Sequence, residues 1–282
     1  MESAPAPAGL MASLKLLAAD IKLAHSVFAL PFAVLGAVLA FVHGGGTWSR
    51  FAGQVALVIA CMVLARTWAM LVNRLVDRRL DAGNPRTAGR AFAAGKASPV
   101  LGWAVATACA AGFVGLAWLF LFAFANPWPL YLSVPVLGWL AFYSFTKRFT
   151  AACHAVLGAS LAFSPIAAAL AVAPEALSGT PALWWTAGFV LLWVTGFDVI
   201  YALQDEGFDR EQKLASIPTA MGASGAIWAA RLLHVGAFLA LLSAWTAEPA
   251  LSKFFAAAVG LTGVVLLVEH VVLTRSGRAA GA

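Results

Sequence analysis

Long apolar stretches constrain this chain more than any other feature of its sequence. Eight runs, each of roughly the 20 residues that cross a bilayer as a helix, follow one another along the 282 residues. The predicted spans are 24–43, 52–73, 99–124, 128–146, 152–173, 183–203, 222–246 and 251–273. Their residues lack the strand-like alternation that is typical of a membrane barrel. The predicted fold class is therefore all-α, a polytopic transmembrane helix bundle of about eight spans.

Composition agrees with a membrane location. Hydrophobic residues make up 62% of the chain and charged residues only 11%, whereas a soluble domain carries about 25% charged residues. Soluble enzymes are therefore excluded. The three cysteines, Cys61, Cys109 and Cys153, lie far apart in apolar runs and indicate neither a disulfide framework nor a metal knuckle. We expect residues 1–282 to form a single domain whose first span is retained rather than cleaved.

Basic residues predict the orientation in the membrane. With a cytoplasmic N-terminus, fourteen of the eighteen Lys and Arg residues fall on the cytoplasmic side. These are Lys15, Lys22, Arg74, Arg78, Arg79, Arg86, Arg90, Lys96, Lys147, Arg148, Arg210, Lys213, Arg275 and Arg278. Arg50 and Lys253 fall outside, and Arg66 and Arg231 lie within spans. This bias follows the positive-inside rule, so it predicts a multi-pass inner-membrane protein and gives no indication of a nucleic-acid partner.

Seven of the twelve acidic residues lie in two short segments where a span meets the cytoplasm. In the first segment, Asn73, Asp77 and Asp81 are spaced by four, which places them on one stripe of a helix. The second segment carries the same kind of stripe, composed of Asp198, Tyr201, Asp205 and Asp209. If the two helices are neighbours, their carboxylates enclose a space rimmed by basic residues. The rim residues are Arg86, Lys147, Arg148 and Lys213.

Two carboxylate rows with nearby cations favour a diphosphate bound with Mg²⁺. This ion prefers oxygen ligands and commonly shares one or two carboxylates with substrate phosphates. The cations neutralise the charge that develops on a departing diphosphate. Solvated helix ends are the plain alternative, but Asp198 follows an apolar run, and a carboxylate at that depth is costly and usually functional.

Both acidic segments resemble the signature motifs of the UbiA family of membrane-embedded aromatic prenyltransferases. The first runs from Arg66 to Asp81 and continues through Asn84-Pro85-Arg86-Thr87, and the second runs from Asp198 to Asp209 and on to Ser216-Ile217-Pro218. Two further segments are similar: His25-Ser-Val-Phe-Ala-Leu-Pro31-Phe, and Tyr143-Ser-Phe-Thr-Lys147-Arg148. The resemblance extends from about residue 20 to 272.

The resemblance implies a ring of transmembrane helices around a central cavity, with a polyprenyl tail that leaves sideways into lipid. Family members usually carry a ninth span, whereas this sequence has eight apolar runs. The metal and diphosphate ligands implied by the resemblance are Asn73, Asp77, Asp81, Asp198, Asp205 and Asp209. The implied phosphate-binding cations are Arg86, Lys147, Arg148 and Lys213.

The expected activity is Mg²⁺-dependent transfer of a polyprenyl group from an allylic diphosphate to a ring carbon of an aromatic acid. The predicted catalytic residues are Asp77, Asp81, Asp198, Tyr201 and Asp205. Tyr201 either stabilises the allylic cation through its ring, worth about 2 kcal/mol when desolvated, or packs between helices. Arg66 either receives the carboxylate of the acceptor or forms a structural pair.

The sequence is compatible with more than one acceptor and more than one class of function. The favoured acceptor is 4-hydroxybenzoate in quinone biosynthesis, and the alternative is the dihydroxynaphthoate of the futalosine route to menaquinone. A membrane transporter is the rival from another class, although a carrier places its charges near mid-membrane. A lipid-binding scaffold without catalysis is a third hypothesis. No obligate protein partner is expected.

Overall fold

Helices make up the regular structure of this chain in a computed structural model, which describes residues 9–21 and 29–279, with side chains as far as Thr274. The helices are α1 (Leu10–Asp20), α2 (Leu30–Gly44), α3 (Trp48–Gly83), α4 (Pro99–Phe124), α5 (Trp128–Thr146), α6 (Cys153–Val172), α7 (Ala176–Gly179), α8 (Pro181–Ala202), α9 (Glu206–Glu211), α10 (Ile217–Ala247) and α11 (Lys253–Ala279). A 3₁₀ turn, Leu203–Asp205, joins α8 to α9.

Seven helices in the described part of the chain are long and apolar enough to cross a membrane, and α2 is a shorter apolar helix of 15 residues. The all-α transmembrane fold class is therefore confirmed. The predicted spans 99–124 and 128–146 coincide with α4 and α5, whereas α3 runs ten residues past its predicted end at 73. Residues 22–28, which include Lys22, His25 and the start of the predicted first span, lie outside the described residues. The side chains of Arg275 and Arg278 lie outside them as well.

Local chemistry fixes the helix ends that the sequence predicts well. Pro99 occupies the first turn of α4, where its missing N–H is not needed. Ala125 ends that helix in the left-handed conformation with φ 53°. The side-chain oxygen of Asn126 then accepts a hydrogen bond of 3.1 Å from the backbone N–H of Trp128, at the start of α5. These signals are local in sequence, so the boundary can be read without knowledge of the tertiary structure.

The chain divides into two compact units, of which the first comprises residues 1–30 and 56–145. Its core joins α1 to α3 and to the 91–106 segment through a cluster of buried side chains. The cluster consists of Leu17, Ile21, Leu71, Leu75, Ala91, Phe92, Ala97 and Ala106. Helix α1 was not among the predicted elements, because its 11 residues are too short to register as a span.

The second unit comprises residues 31–55 and 146–282. Helix α8 is its central element and packs against α6 and α10. Close approach depends on glycine: a Cβ at Gly36 would overlap the backbone of Pro165, and one at Gly196 would overlap the ring of His234. Small residues serve the same purpose at helix interfaces of other membrane proteins. That residues 1–282 act as a single domain stays a prediction.

Helix α10 is interrupted near its start. Gly222 has φ 71° and ψ 171°, outside the helical range, in a region that is accessible essentially to glycine alone. The preceding turn is anchored by a capping box, in which the Ser216 side chain accepts from the backbone of Thr219 and the Thr219 side chain accepts from the backbone of Ser216. The first turn of α10 is therefore held by its cap and separated from the longer apolar segment by a kink.

Candidate active site

The first acidic motif lies on one helix, as predicted. Asn73, Asp77 and Asp81 all belong to α3, and the amide Nδ2 of Asn73 donates to Oδ2 of Asp77 over 3.3 Å. That contact is the i, i+4 neighbour relation of a helix. Asp77 is 2% exposed and Asp81 is 5% exposed. Two carboxylates are thus buried one turn apart.

Asp81 is fixed through one of its two oxygens. Its Oδ1 accepts a hydrogen bond of 2.7 Å from Nη1 of Arg90. The turn that brings Arg90 back is held by Thr87, whose hydroxyl donates to the backbone oxygen of Asp81, and by Asn84, whose side chain accepts from the backbone of Arg86. The other oxygen, Oδ2, is buried and has no hydrogen-bond partner among the described residues.

Helix α1 contributes to the same region of the first unit. Asp20, at its end, accepts a hydrogen bond of 2.8 Å through Oδ1 from the backbone of Ala91. Its Oδ2 lies 3.8 Å from Nε of Arg74, and Nη1 of Arg74 donates to the side-chain oxygen of Asn73 over 3.0 Å. A chain of contacts from α1 therefore orients the amide of Asn73 so that its nitrogen meets Asp77.

The second motif begins with Asp198 on α8. Its Oδ2 lies 2.7 Å from Nδ1 of His154, near the start of α6. The imidazole is buried at 3% exposure, and its Nε2 accepts from the backbone N–H of Ile217 over 3.2 Å. Asp198, like Asp81, is thus held through a single oxygen.

The remainder of the second motif extends across a 3₁₀ turn between two α-helices. Helix α8 ends at Ala202, and Asp205 closes the 3₁₀ turn before α9 begins. The α-helix is therefore interrupted by one 3₁₀ turn between Tyr201 and Asp209, and the single stripe of Asp198, Tyr201, Asp205 and Asp209 stays a prediction. Tyr201 is 42% exposed and stacks on Phe197 with ring centroids 6.3 Å apart. Asp205 and Asp209 are half-buried.

The predicted phosphate-binding cations differ in their exposure to solvent. Arg86, Arg148 and Lys213 are exposed, and Lys147 is half-buried. The backbone oxygen of Lys147 accepts a hydrogen bond of 2.8 Å from Ala215, so the second unit brings Lys147 next to the segment that follows the second motif. Lys213, which follows the C-cap of α9 at Gln212, has φ 54° and takes the left-handed conformation.

Arg66 lies on α3 seven residues before Asn73, on nearly the same side of the helix. It is half-buried and makes no hydrogen bond or ion pair with another residue of the described chain. A guanidinium with five donors is therefore available inside an apolar span. Arg66 was predicted either to bind the acceptor or to form a structural pair, and no partner for such a pair is found among the described residues.

The donor set fits Mg²⁺ as a partner of a substrate phosphate. Within residues 9–21 and 29–279, no three His, Cys, Asp or Glu side chains are placed to hold a metal ion by themselves. Mg²⁺ does not need such a cage, since it is commonly bound by one or two carboxylates together with waters and substrate phosphates. The buried, unpartnered Oδ2 of Asp81 is an oxygen of the required kind.

Comparison with known proteins shows the family. The model of the UbiA prenyltransferase family matches residues 29–282. The chain belongs to the UbiA prenyltransferase family. The likeness extends to structure: the apo structure of a UbiA homolog from Aeropyrum pernix K1 superposes with a TM-score of 0.81 at 31% identity and covers 90% of both chains. A UbiA homolog from Archaeoglobus fulgidus, bound to DMAPP and Mg²⁺, shares the fold with a TM-score of 0.66 at 16% identity over 93% of this chain and 87% of that one.

Curated UbiA relatives carry the name 4-hydroxybenzoate octaprenyltransferase. One from Stutzerimonas stutzeri (strain A1501) is 29% identical over 192 residues, covering 68% of this chain and 62% of that protein. Another from Pseudomonas fluorescens (strain Pf0-1) is 32% identical over 164 residues, covering 58% and 53%. The chain therefore matches between about half and two thirds of the length of these relatives.

Three residues that contact the UbiA motifs were missed in the sequence. Arg90 follows Asp81 by nine residues across an irregular turn, His154 precedes Asp198 by 44, and Asp20 precedes Ala91 by 71. These separations carry no helical period that points from one partner to the other. The sole sequence signal is composition, since Asp20 is one of twelve acids and His154 one of five histidines in an apolar chain.

Proposed function

We propose that this protein transfers a polyprenyl group from an allylic polyprenyl diphosphate to a ring carbon of an aromatic acid, with 4-hydroxybenzoate as the acceptor. Membership of the UbiA prenyltransferase family supports the reaction class. The names of the curated relatives support the acceptor. The observation that carries the proposal in this chain is Asp81, buried, held by Arg90 on one oxygen and without a partner on the other.

The first motif supplies the most buried ligands of the proposed site. Asp81 offers Oδ2, and Asp77 stands one turn away with its own Oδ2 oriented by the amide of Asn73. Bound Mg²⁺ would supply a Lewis acid that stabilises the negative charge of the leaving diphosphate. We assign Asn73, Asp77 and Asp81 to this role.

The second motif supplies further carboxylates, from Asp198, Asp205 and Asp209. Asp198 is held through Oδ2 by the imidazole of His154 and has its other oxygen available for a cation. Lys147, Arg148, Arg86 and Lys213 are assigned to phosphate oxygens. Their positive charges would balance a diphosphate that the carboxylates alone would repel.

Two residues are assigned to the aromatic acceptor and to the prenyl group. Arg66 would bind the carboxylate of the acceptor, because its donors have no partner in the described chain and a guanidinium pairs with a carboxylate in two-pronged geometry. Tyr201 would face the allylic carbon that becomes positive, since its ring is exposed and is ordered by stacking on Phe197. A cation over an aromatic face gains about 2 kcal/mol when desolvated.

The proposal extends to location and organisation. The protein would lie in the inner membrane with its N-terminus and both motifs at the cytoplasmic face, as the distribution of Lys and Arg indicates. Residues 1–282 would act as one prenyltransferase domain. The lipid bilayer would be its environment, and no protein partner is needed for the proposed chemistry.

Product mass tests the reaction and the acceptor together. Purified full-length protein in lipid nanodiscs is incubated with octaprenyl diphosphate, Mg²⁺ and either 4-hydroxybenzoate or 1,4-dihydroxy-6-naphthoate. We expect a prenylated 4-hydroxybenzoate and equimolar diphosphate, both abolished by EDTA. A product with the naphthoate alone would replace the acceptor, and diphosphate release without any acceptor requirement would contradict the transfer.

Variants test the residues. Asp77→Ala and Asp198→Ala should each lower the rate of product formation by about 100-fold or more, a typical cost of losing one charge-stabilising group in an active site. Glu211→Gln is the matched control, because Glu211 is an exposed acid just beyond the second motif with no assigned role. Full activity in both alanine variants would contradict the assignment, and an equal loss in Glu211→Gln would mean that the effect is not specific.

A further inference from the structure

His154 has a polar role that its position in an apolar helix conceals. It is the second residue of α6 and is buried at 3% exposure. Both of its ring nitrogens are engaged, Nδ1 with Oδ2 of Asp198 at 2.7 Å and Nε2 with the backbone nitrogen of Ile217 at 3.2 Å. The imidazole therefore links α8 to the start of α10.

The backbone contact determines which ring nitrogen carries the proton. Ile217 is the first residue of α10, so its N–H has no acceptor within that helix and can only donate outward. Nε2 must accept that hydrogen bond and is unprotonated. The proton of the imidazole lies on Nδ1 and is donated to Asp198, because the bond at one nitrogen sets the state of the other.

The position of the Ile217 amide is itself fixed. Ser216, immediately before it, closes a reciprocal capping box with Thr219 at 2.9 and 3.2 Å. The sulfur of Cys153 lies 3.5 Å from the backbone oxygen of Ala215, which ties the same segment to the start of α6. His154 is thus held between two anchored backbone segments, and a proton on Nε2 would place two donors, the ring N–H and the N–H of Ile217, against one another.

The consequence falls on Asp198. The imidazole engages Oδ2 of the carboxylate through one hydrogen bond, while Oδ1 forms no hydrogen bond with the rest of the described chain. In the first motif Arg90 takes the place of the imidazole: it holds Oδ1 of Asp81, and Oδ2 has no hydrogen-bond partner among the described residues. In both motifs, therefore, one carboxylate oxygen is held by a hydrogen bond and the other is available to a ligand.

We propose that His154 is a positioning residue of this enzyme: its imidazole holds the carboxylate of Asp198 in one orientation through a single hydrogen bond, so that the second oxygen binds a divalent cation. The inference rests on the proposed function, which assigns Asp198 to the metal. Partners of this kind orient metal ligands in other proteins, where their loss lowers metal affinity by roughly 10–100-fold.

Two amide substitutions separate the two hydrogen bonds of His154. In H154N the side-chain amide nitrogen occupies nearly the place of Nδ1 and donates to Asp198. In H154Q the longer side chain reaches the place of Nε2, where its oxygen accepts from Ile217 while the donor to Asp198 is lost. Both variants introduce an amide at the same buried position, so a general effect on folding is shared between them.

The measurement is Mn²⁺ binding by electron paramagnetic resonance, with full-length protein in nanodiscs and the unreactive analogue geranyl thiolodiphosphate. We expect the dissociation constant for Mn²⁺ to rise by about 10-fold or more in H154Q and by less than about threefold in H154N. H43Q is the matched control, because His43 forms a bond of the same length, 2.7 Å, with Glu248, which has no assigned role. It should bind Mn²⁺ as the wild type does.

Turnover provides a second readout that a merely structural role would not reproduce. In H154Q the Mg²⁺ concentration for half-maximal rate should rise by about the same factor as the dissociation constant for Mn²⁺, while kcat at saturating Mg²⁺ stays within about fivefold. Equal Mn²⁺ binding by H154Q and wild type would overturn the role of His154 alone. Equal weakening in H154N and H154Q would also overturn it, and a wild type that binds no Mn²⁺ would overturn the proposed function as well.

Discussion

The ion pair between Asp81 and Arg90 is open to a double-mutant cycle that measures how strongly the first motif depends on it. The variants are Arg90→Met, Asp81→Asn and the combination of the two. The side chain of Asp81 is 7% exposed and that of Arg90 is 25% exposed, with 2.7 Å between Nη1 and Oδ1. The pair is therefore much closer to a buried ion pair than to a surface one.

The two single variants should differ because their charges differ in access to water. Arg90→Met leaves the carboxylate of Asp81 buried, with neither oxygen hydrogen-bonded by another described side chain, and should cost about 3 kcal/mol of unfolding free energy. Asp81→Asn leaves a guanidinium that is one quarter exposed and still reaches solvent, so it should cost about 1 kcal/mol. Removing both charges avoids the isolated ion and should cost about 1.5 kcal/mol. The expected coupling energy is therefore about 2.5 kcal/mol.

Unfolding is followed by tryptophan fluorescence in mixed micelles as the fraction of sodium dodecyl sulfate is raised. EDTA is present throughout, so that a divalent cation cannot replace Arg90 beside Asp81. If the unfolding free energies lost by the two single variants sum to the loss of the double variant within about 0.5 kcal/mol, the reasoning is refuted. Such additivity would mean that the two groups do not interact.

Three further outcomes are expected. Gly36→Ala should lower the unfolding free energy by about 1–3 kcal/mol, because the new methyl group overlaps backbone atoms of α6 that cannot move aside, whereas Gly138→Ala, which meets nothing within 4 Å, should leave it unchanged or slightly raised. Arg66→Met should raise the KM for the aromatic acid by about 10–100-fold in the product assay and leave that for the prenyl diphosphate unchanged; an effect on both would contradict its assignment. Asp20→Ala should cost about 1–2 kcal/mol more than Asp20→Asn in the unfolding assay, since asparagine still accepts from the backbone of Ala91.

Much of the fold can be predicted because its signals are local. A run such as 99–124 is apolar throughout, and Ser98-Pro99 and Asn126-Pro127 mark its two ends. The row formed by Asn73, Asp77 and Asp81 is predictable for the same reason, as its residues are one turn apart on a helix that continues to Gly83. Helical periodicity alone therefore suffices to place these residues on one face.

The rest of the candidate site depends on contacts between distant segments. Helix α8 ends at Ala202 although no glycine or proline lies between Ala202 and Gly207, so the break has no local signal. The pairing of His154 with Asp198 arises because α6 packs against α8, and a single sequence does not reveal which helices pack together. The arrangement of the two acidic rows around one ligand likewise stays a prediction.

The kink at Gly222 has a consequence for how this protein tolerates its lipid surroundings. Membranes differ in thickness, and transmembrane helices respond by changing their tilt. We expect residues 223–247 to follow such a change through rotation at Gly222, because the residues before it are held separately by the Ser216 cap. We expect this arrangement to insulate the amide that contacts the His154 ring from bilayer stress, and Gly222→Ala, which disfavours the backbone angles found there, to make the geometry of Asp198 sensitive to lipid chain length.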